Sequence, residues 1–596
     1  MKKLFMILLL LVMSISAISL AQETGEVKLG DVIIMRFHSP QISNPQVLAE
    51  NVQQRIQKAL TLKIPNEQIT VEKASDGYLI KWGNIALITV TREIANSNSS
   101  EPLDLAKKWA WKLKKTAKDQ IFGVYPSSLT LGVGETKKIE LRGNLGGGEM
   151  KINYYMSQIQ VERDLANNVL LVRGVSAGKS EIIIEKDGLT QKIQVICRSW
   201  AGKIPGVTEI EVSGNPVPTD ILESAALQAA TAQCEINPGA QIYLRGPIEI
   251  FDSSVHQKEL IAKVPLAIDG TDYLRAEGTT EVILKNRDFS PSPSRILMLS
   301  NRPEGLKENG TLLSGELVIG KPIRLLVSHK NESPDERLLW VTLTNPSDQP
   351  AQLFITPSLS GPSYQELEVG HKAVFRFLRN TTASCGYFME LKPKESKDIV
   401  AFWLPPKQIA AAFLNLQQIS GQPLKIHIAT TLTKLPYVPQ KIISEDFDPF
   451  KVHPHGIFPE PEILLKQKIT LGGKTPTFVV GNPPFLLDEQ TGQPNLGNYG
   501  VTYNFEVTLE NQESQEKTVK FYFLPVGGGA YGSIAFDQEI IQVPLSKSFE
   551  ERLIKTIKVA PNSFKVIHLA TIPEPGSYYP VKIMLREENS NVTTNN

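Results

Sequence analysis

The period of the apolar positions changes several times along this chain, and each change marks a different kind of element. Asp31 to Arg36 is a short, mostly apolar run, the pattern of a strand. After Asn44-Pro45 the period lengthens. Leu48, Val52, Ile56 and Leu60 recur at every fourth residue, which puts them on one face of a helix. Strand patterning returns at Ile69 to Val71, Tyr78 to Trp82 and Ile85 to Thr91, joined by the turn pairs Asp76-Gly77 and Gly83-Asn84. Leu105, Trp109, Leu113 and Ala117 then restore helical spacing over Leu103 to Ile121. The interleaving predicts a small α/β module over 27–122. The polar side of its second helix carries Lys107, Lys108, Lys112, Lys114, Lys115 and Lys118. Such a face suits an anionic wall polymer or lipid headgroup, and it equally suits a solvated surface.

From 123 to 199 strand patterning dominates, as in Lys138-Ile139-Glu140-Leu141. Leu129-Thr130-Leu131-Gly132-Val133-Gly134-Glu135-Thr136 opens the segment, and Gly174-Val175-Ser176-Ala177-Gly178-Lys179-Ser180-Glu181-Ile182-Ile183 closes it. Gly134 permits a tight turn between strands, and Gly174 and Gly178 let the backbone bend before the next one. These residues resemble the bacterial Ig-like group 2 domain, which begins L-x-V-G-E/Q-T and ends G-x-x-A-G-x-A/S-x-I. The glycine pattern is also similar to that of the N-terminal β-domains of pilus secretins. Either resemblance covers about 123–197 only. Each implies a spacer or interaction module with no catalytic residues.

The segment 201–305 reads as a β-rich module with one helix. Asp220 with Glu223 three residues later is a capping-box pattern before an Ala-rich helix from Ile221 to Gln233. Strands are expected at Val207–Val212, Gln241–Leu244, Leu260–Ile268 and Val282–Leu284. The segments 310–435 and 465–588 look like copies of each other. Val341-Thr342-Leu343-Thr344-Asn345 matches Val507-Thr508-Leu509-Glu510-Asn511 at an offset of 166. Pro357 and Pro525, Pro393 with Lys397 and Pro561 with Lys565, and Leu404-Pro405 and Ile572-Pro573 all match at 168. Anchors in order at near-constant offset indicate an internal duplication of a β-sandwich meander. Between the copies, 436–464 holds Pro436, Pro439, Pro449, Pro454, Pro459 and Pro461 and reads as an extended connector. The polar tail 589–596 is expected to be disordered. The fold class is mainly β: tandem Ig-like or β-sandwich domains preceded by a small α/β domain.

The N-terminus bears on the compartment. Met1-Lys2-Lys3 precedes the apolar run Leu4 to Ile15, and the small residues Ser16, Ala17, Ser19 and Ala21 follow. This is the order of a secretory signal peptide over 1–21, cleaved after Ala21. The run is short of the ~20 residues a spanning helix needs, and no later stretch reaches that length. Without residues 1–21 the chain keeps 61 basic and 62 acidic side chains. A charge so balanced gives no overall field for nucleic acid or an anionic membrane. Three cysteines, Cys197, Cys234 and Cys385, are too few for a disulfide framework. A Cys197–Cys234 bridge and three separate thiols both fit the count.

The search for chemistry finds little. There is no G-x-S-x-G nucleophile elbow, no H-E-x-x-H and no EF-hand loop. Ser360-Gly361-Pro362-Ser363 precedes His371 by a few residues, but the second copy has Gly527-Gly528-Gly529-Ala530 there, so a turn requirement explains both. His453-Pro454-His455, with Asp446 and Asp448 upstream, is the one close histidine pair, and it sits in the proline-rich connector. Gly146-Gly147-Gly148 and Gly527-Gly528-Gly529 lack the lysine and helix of a phosphate loop. Trp82, Trp109, Trp111, Trp200, Trp340 and Trp403 are expected mainly in cores, with sugar stacking the alternative. No catalytic, cofactor or metal residue is assigned. The expectation is an exported, non-enzymatic binding or scaffolding protein of a bacterial envelope or extracellular space, with an envelope protein or glycan as its partner. A secreted hydrolase with dispersed carboxylates and a surface-layer or pilus-associated assembly component are the competing classes.

Overall fold

The turn pairs of the N-terminal region close hairpins. In the computed structural model Ala74 faces Gly77 and Trp82 faces Ile85, so Ile69–Ala74, Gly77–Trp82 and Ile85–Val90 form a three-stranded meander. Thr24–Leu29 and Val32–His38 form a second hairpin. Helices Pro45–Thr61 (α1) and Pro102–Asp119 (α3) supply Val52, Ile56, Leu105, Trp109 and Leu113 to one core with Phe37 and Trp82. A short helix between them, Arg92–Ser97 (α2), is capped by Thr91, whose side chain accepts the Ile94 N–H. The structure describes residues 24–588 apart from 31, 39–41, 63, 120–121, 144–148, 165, 187–188, 253–258, 433–454 and 474. The expected leader 1–21, Gly146 to Gly148, most of the proline-rich connector and the tail 589–596 therefore lie outside the described residues.

The Ig-like segment is a β-sandwich. One sheet runs Ile159–Asp164, Val169–Gly174, Thr136–Gly143, Phe122–Tyr125, and the other Ser128–Gly132, Leu189–Arg198, Gly178–Lys186, Met150–Tyr154. Ser128–Gly132 joins in parallel and the remaining pairings are antiparallel. Gly174 is placed by contact: a Cβ there would run into the Gly132 carbonyl. Residues up to Trp200, with Asp272–Leu274, form one unit, and Ala201–Thr271 with the chain from Arg275 form a second.

In the second unit the boundary expected near 305 is absent. Val207–Ser213 pairs in parallel with Ala276–Asn286 and antiparallel with Gly386–Leu391. Ile296–Leu306 pairs in parallel with Ile323–Asn331 and antiparallel with His455–Pro459. The segments read as 201–305 and 310–435 thus share one eleven-stranded sheet, and the connector read as 436–464 ends in a strand of it. A four-stranded sheet of Gly310–Leu317, Leu424–Leu432, Arg337–Thr344 and Ser396–Leu404 packs on one face. Helix Thr219–Ala232 (α4) joins the same core through Leu222, Ala225, Ala226 and Ala229. Leu325 and Val327 point into that core while Leu326 points to the other face. Ala410, Ala412 and Leu414 alternate with Ile409, Ala411 and Phe413 in the same way. Both faces of these strands are dry, so their sequence reads as an unbroken apolar run.

The other face meets helix Glu366–Thr382 (α5) and a second sandwich. Its five-stranded sheet contains Glu462–Thr470, Thr502–Asn511, Ser563–Thr571, Ala530–Phe536 and Glu539–Ser546. The facing sheet contains Thr477–Val480, Val581–Glu588, Lys517–Pro525 and Arg552–Val559. The duplicated segments share their pairings. Leu343 faces Lys397 as Leu509 faces Lys565, and Ala351 faces Leu391 as Lys517 faces Val559. The matched asparagines also do the same work. Asn345 is fully buried and its Nδ2 donates to the carbonyls of Gln349, Leu391 and Lys392 at 2.7, 3.2 and 3.1 Å, while its Oδ1 accepts the Ser347 N–H at 3.1 Å. Asn511 repeats this with Gln515, Val559 and Ala560 at 2.8, 3.2 and 3.0 Å and with the Glu513 N–H at 3.1 Å. Each ties the turn after its strand to a neighbouring strand end. Truncation leaves buried carbonyls without donors, so Asn345→Ala and Asn511→Ala should each lower unfolding free energy by about 1–3 kcal/mol. Urea unfolding checks this: the midpoint should fall with an unchanged slope.

Candidate functional site

The densest group of chemically capable side chains lies where α5 meets the second sandwich. Gly370 lets the helix approach: a Cβ there would collide with the Pro575 carbonyl. One residue on, His371 Nδ1 lies 3.1 Å from both carboxylate oxygens of Glu574 and 3.3 Å from Ser533 Oγ. Ser533 Oγ–H donates to Glu574 Oε1 at 2.7 Å. The Tyr531 ring stacks on His371 at 4.6 Å between centroids. His371, Ser533 and Glu574 are all buried.

The residue types are those of a hydrolytic triad, but the wiring is not. A nucleophilic serine gives its proton to the ring nitrogen opposite the one that the acid holds. Here serine and carboxylate share Nδ1, and the serine proton points at Glu574. The group fastens α5 to the strands Ala530–Phe536 and Ser563–Thr571 and the turn after them. Arg324 is a second fastener. Its Nη1 donates to the Pro461 and Gly500 carbonyls at 3.3 and 2.9 Å, its Nη2 bonds Glu462, and its guanidinium lies 5.5 Å from the Phe377 ring centre on α5.

A cleft of about 310 Å³ opens beside α5, lined in part by Ser360, Ser363, Glu368, Lys372 and Arg376. It contains the serine loop singled out in the sequence, but the structure does not pair Ser363 with His371. Ser363 Oγ accepts the Gln365 N–H at 3.2 Å, and His371 is turned toward Glu574. Arg376 Nη1 is held by the Leu359 carbonyl at 2.7 Å, and Lys372 pairs with Glu368 at 3.1 Å. Glu368 is the only carboxylate among the lining residues.

The remaining sequence candidates disperse. His455 is buried in an edge strand, 6.1 Å from the His329 ring, whose Nε2 bonds Ser300 Oγ at 2.8 Å. His453, Asp446 and Asp448 lie outside the described residues. Among the described residues no group of three or more His, Cys, Asp or Glu is placed to hold a metal. Cys197, Cys234 and Cys385 are free thiols, and burial pushes Cys234 up to about 11. Gly527 to Gly529 turn the chain between two strands. Trp82, Trp109 and Trp340 are core residues as expected, whereas Trp111, Trp200 and Trp403 are exposed. No helix among the described residues is long and apolar enough to cross a membrane. The junction was missed because positions 371, 533 and 574 are brought together only by the fold, and no local spacing marks them.

Residues 26–120 match a family model described as a domain of unknown function (DUF8459). No curated protein matches the chain. Domains 5-6 of the S-layer protein SbsC match with 16% identity over 28% of this chain and 97% of that one, at a TM-score of 0.13. Human mucin-like protocadherin EC1-2 matches with 8% identity over 28% and 98%, at 0.12. The N-terminal Ig1-2 module of Drosophila receptor protein tyrosine phosphatase DLAR matches with 12% identity over 28% and 100%, at 0.13. At these values no residue role carries over to this chain.

Two titrations test the reading of the junction and of the duplicated sheet. Burial pulls the His371 pKa down, but the Glu574 hydrogen bond and charge, with Gln542 and Glu368, outweigh it and hold the ring above its ordinary value. A base so raised contributes stability that is complete below about pH 6.5 and is lost as pH rises through the folded value. His371→Gln should therefore destabilise the protein more at pH 6 than at pH 9, read by thermal unfolding. Asp398 behaves in the opposite sense. Burial pushes its carboxyl up to about 6, opposed by the Thr342 hydroxyl that donates to it at 2.6 Å. The folded state thus penalises the ionised form, fully above pH 6 and hardly at all below pH 4. Asp398→Asn should add about 1–2 kcal/mol at pH 7.5, allowing for partial exposure, and nothing at pH 4. Unfolding curves at the two pH values measure the difference.

Proposed function

We propose that this chain is an exported, non-enzymatic binding or scaffolding protein of the bacterial cell envelope or extracellular space. The observation that carries this reading is the use made of its reactive residues. His371, Ser533 and Glu574 are shut inside a junction and bonded as a fastener, with the serine proton directed away from the base. The export pattern at 1–21 and the Ig-like group 2 pattern at 123–197 support the same reading. Hydrolysis of a glycan by paired carboxylates needs two of them across a cleft, about 5–9.5 Å apart. The cleft beside α5 offers Glu368 alone, already paired with Lys372. Sandwich loops and edge strands are the surfaces such proteins offer, and an envelope protein or glycan is the partner class.

Protease shaving of intact producer cells, with chemical cross-linking of each fraction, tests the proposal. The expected result is a mature chain that is shaved from the surface or cross-linked to one envelope component. A chain that stays soluble, monomeric and uncross-linked, and that hydrolyses a glycan substrate, would overturn it.

A further inference from the structure

The helix α3 has one face more than its module uses. Leu105, Ala106, Trp109, Ala110 and Leu113 fill the core, with Trp109 edge-on to Phe37 at 5.6 Å. The opposite face presents Lys107, Lys108, Trp111, Lys114 and Lys115, all exposed, at the spacing that puts them side by side on a helix. Trp111 is 65% exposed, and Lys115 Nζ lies 5.4 Å from its ring centre. Lys114 Nζ donates to the Glu67 carbonyl at 3.3 Å. Among the described residues Lys107, Lys108, Lys112 and Lys115 have no carboxylate within ion-pair distance, and Asp104 is the one acid described on the face. Exposed lysines elsewhere are commonly neutralised, as in Lys466–Glu506, Lys468–Glu510, Lys520–Glu588 and Lys558–Glu516. The chain as a whole is close to neutral, so the unbalanced charge is local to this face.

We propose that the Lys107/Lys108/Trp111/Lys115 face of α3 docks the protein on the surface of an anionic lipid bilayer. Complementarity of charge and shape favours that occupant. The lysines form a convex ridge, and a ridge meets a planar surface where a polymer chain would need a groove. The face offers ammonium donors and one indole but a single acceptor, a poor set for hydroxyl-rich sugars. Indole rings settle at the headgroup level of bilayers. The apolar side of the helix is committed to the core, so the contact is shallow and reversible. Each lysine near an anionic surface adds about 1 kcal/mol, and salt screens it within a Debye length.

Sedimentation of the mature full-length chain with vesicles tests this. Vesicles of phosphatidylcholine with about 30% phosphatidylglycerol should bind it at least roughly tenfold better than phosphatidylcholine alone, and ~0.5 M salt should remove the difference. The variant with Lys107, Lys108, Lys112 and Lys115 all changed to Gln should lose about tenfold or more in binding, with an unchanged unfolding midpoint because none of the four is paired. Vesicles should shift wild-type tryptophan emission to the blue and leave the Trp111→Phe variant unshifted. Undiminished binding by the four-lysine variant would overturn the proposal. So would soluble polyphosphate binding the chain while anionic vesicles do not.

Discussion

Much of the second unit depends on the burial of α5 from two sides. Val369, Ala373, Val374, Phe377 and Leu378 enter a core that also contains Leu326 and Phe413 of the eleven-stranded sheet and Phe505, Phe521 and Phe523 of the second sandwich. Each large side chain fully withdrawn from water contributes about 1.5–3 kcal/mol. A helix so enclosed has few polar exits, and the polar groups it does carry must be bonded. His371 with Glu574, Asn380 with the Pro357 carbonyl at 3.0 Å, and Arg379 with Asp220 at 2.6 Å meet that requirement. Each partner comes from a different part of the chain, so meeting the helix's needs also joins the parts. The same requirement explains Gly370, because a closer approach of helix and turn shortens the reach from His371 to Glu574.

The N-terminal module was legible because its signals are local. Two-residue turns, four-residue spacing and alternation each lie within a few positions, and the hairpins and helices α1 and α3 fall where those signals put them. Thr24–Leu29 and α2 were not anticipated, being short and weakly patterned. The eleven-stranded sheet was misdivided for a different reason. Ile409 to Leu416 and Ile323 to Val327 are apolar at nearly every position, which conceals the period that would reveal two buried faces. The pairing of Val212 with Tyr387 spans a separation no local pattern reports.

The junction was opaque in the same way, although its ingredients were visible one at a time. His371 was noticed for its nearness to Ser363, and the fold instead brings it Ser533 and Glu574. The duplicated asparagines were legible as matching letters, and the structure supplies their meaning. Asn345 and Asn511 recur because one amide can meet three carbonyls and an N–H at a strand corner, which no aliphatic side chain can do. Polar residues inside this protein are therefore mostly joints.

The duplicated segments differ at one place. After Ala351–Ser363 the first inserts α5, whereas after Lys517–Pro525 the second inserts the hairpin of Ala530–Phe536 and Glu539–Ser546, and α5 packs against that hairpin. Two copies with the same insertion would present identical head and tail surfaces, and such surfaces can go on adding copies into an open filament. Divergence of the insertions makes the pair a lock and its key on one polypeptide. The valence of this surface is satisfied internally, so the tandem closes at two, and any growth into a larger assembly must use some other part of the molecule.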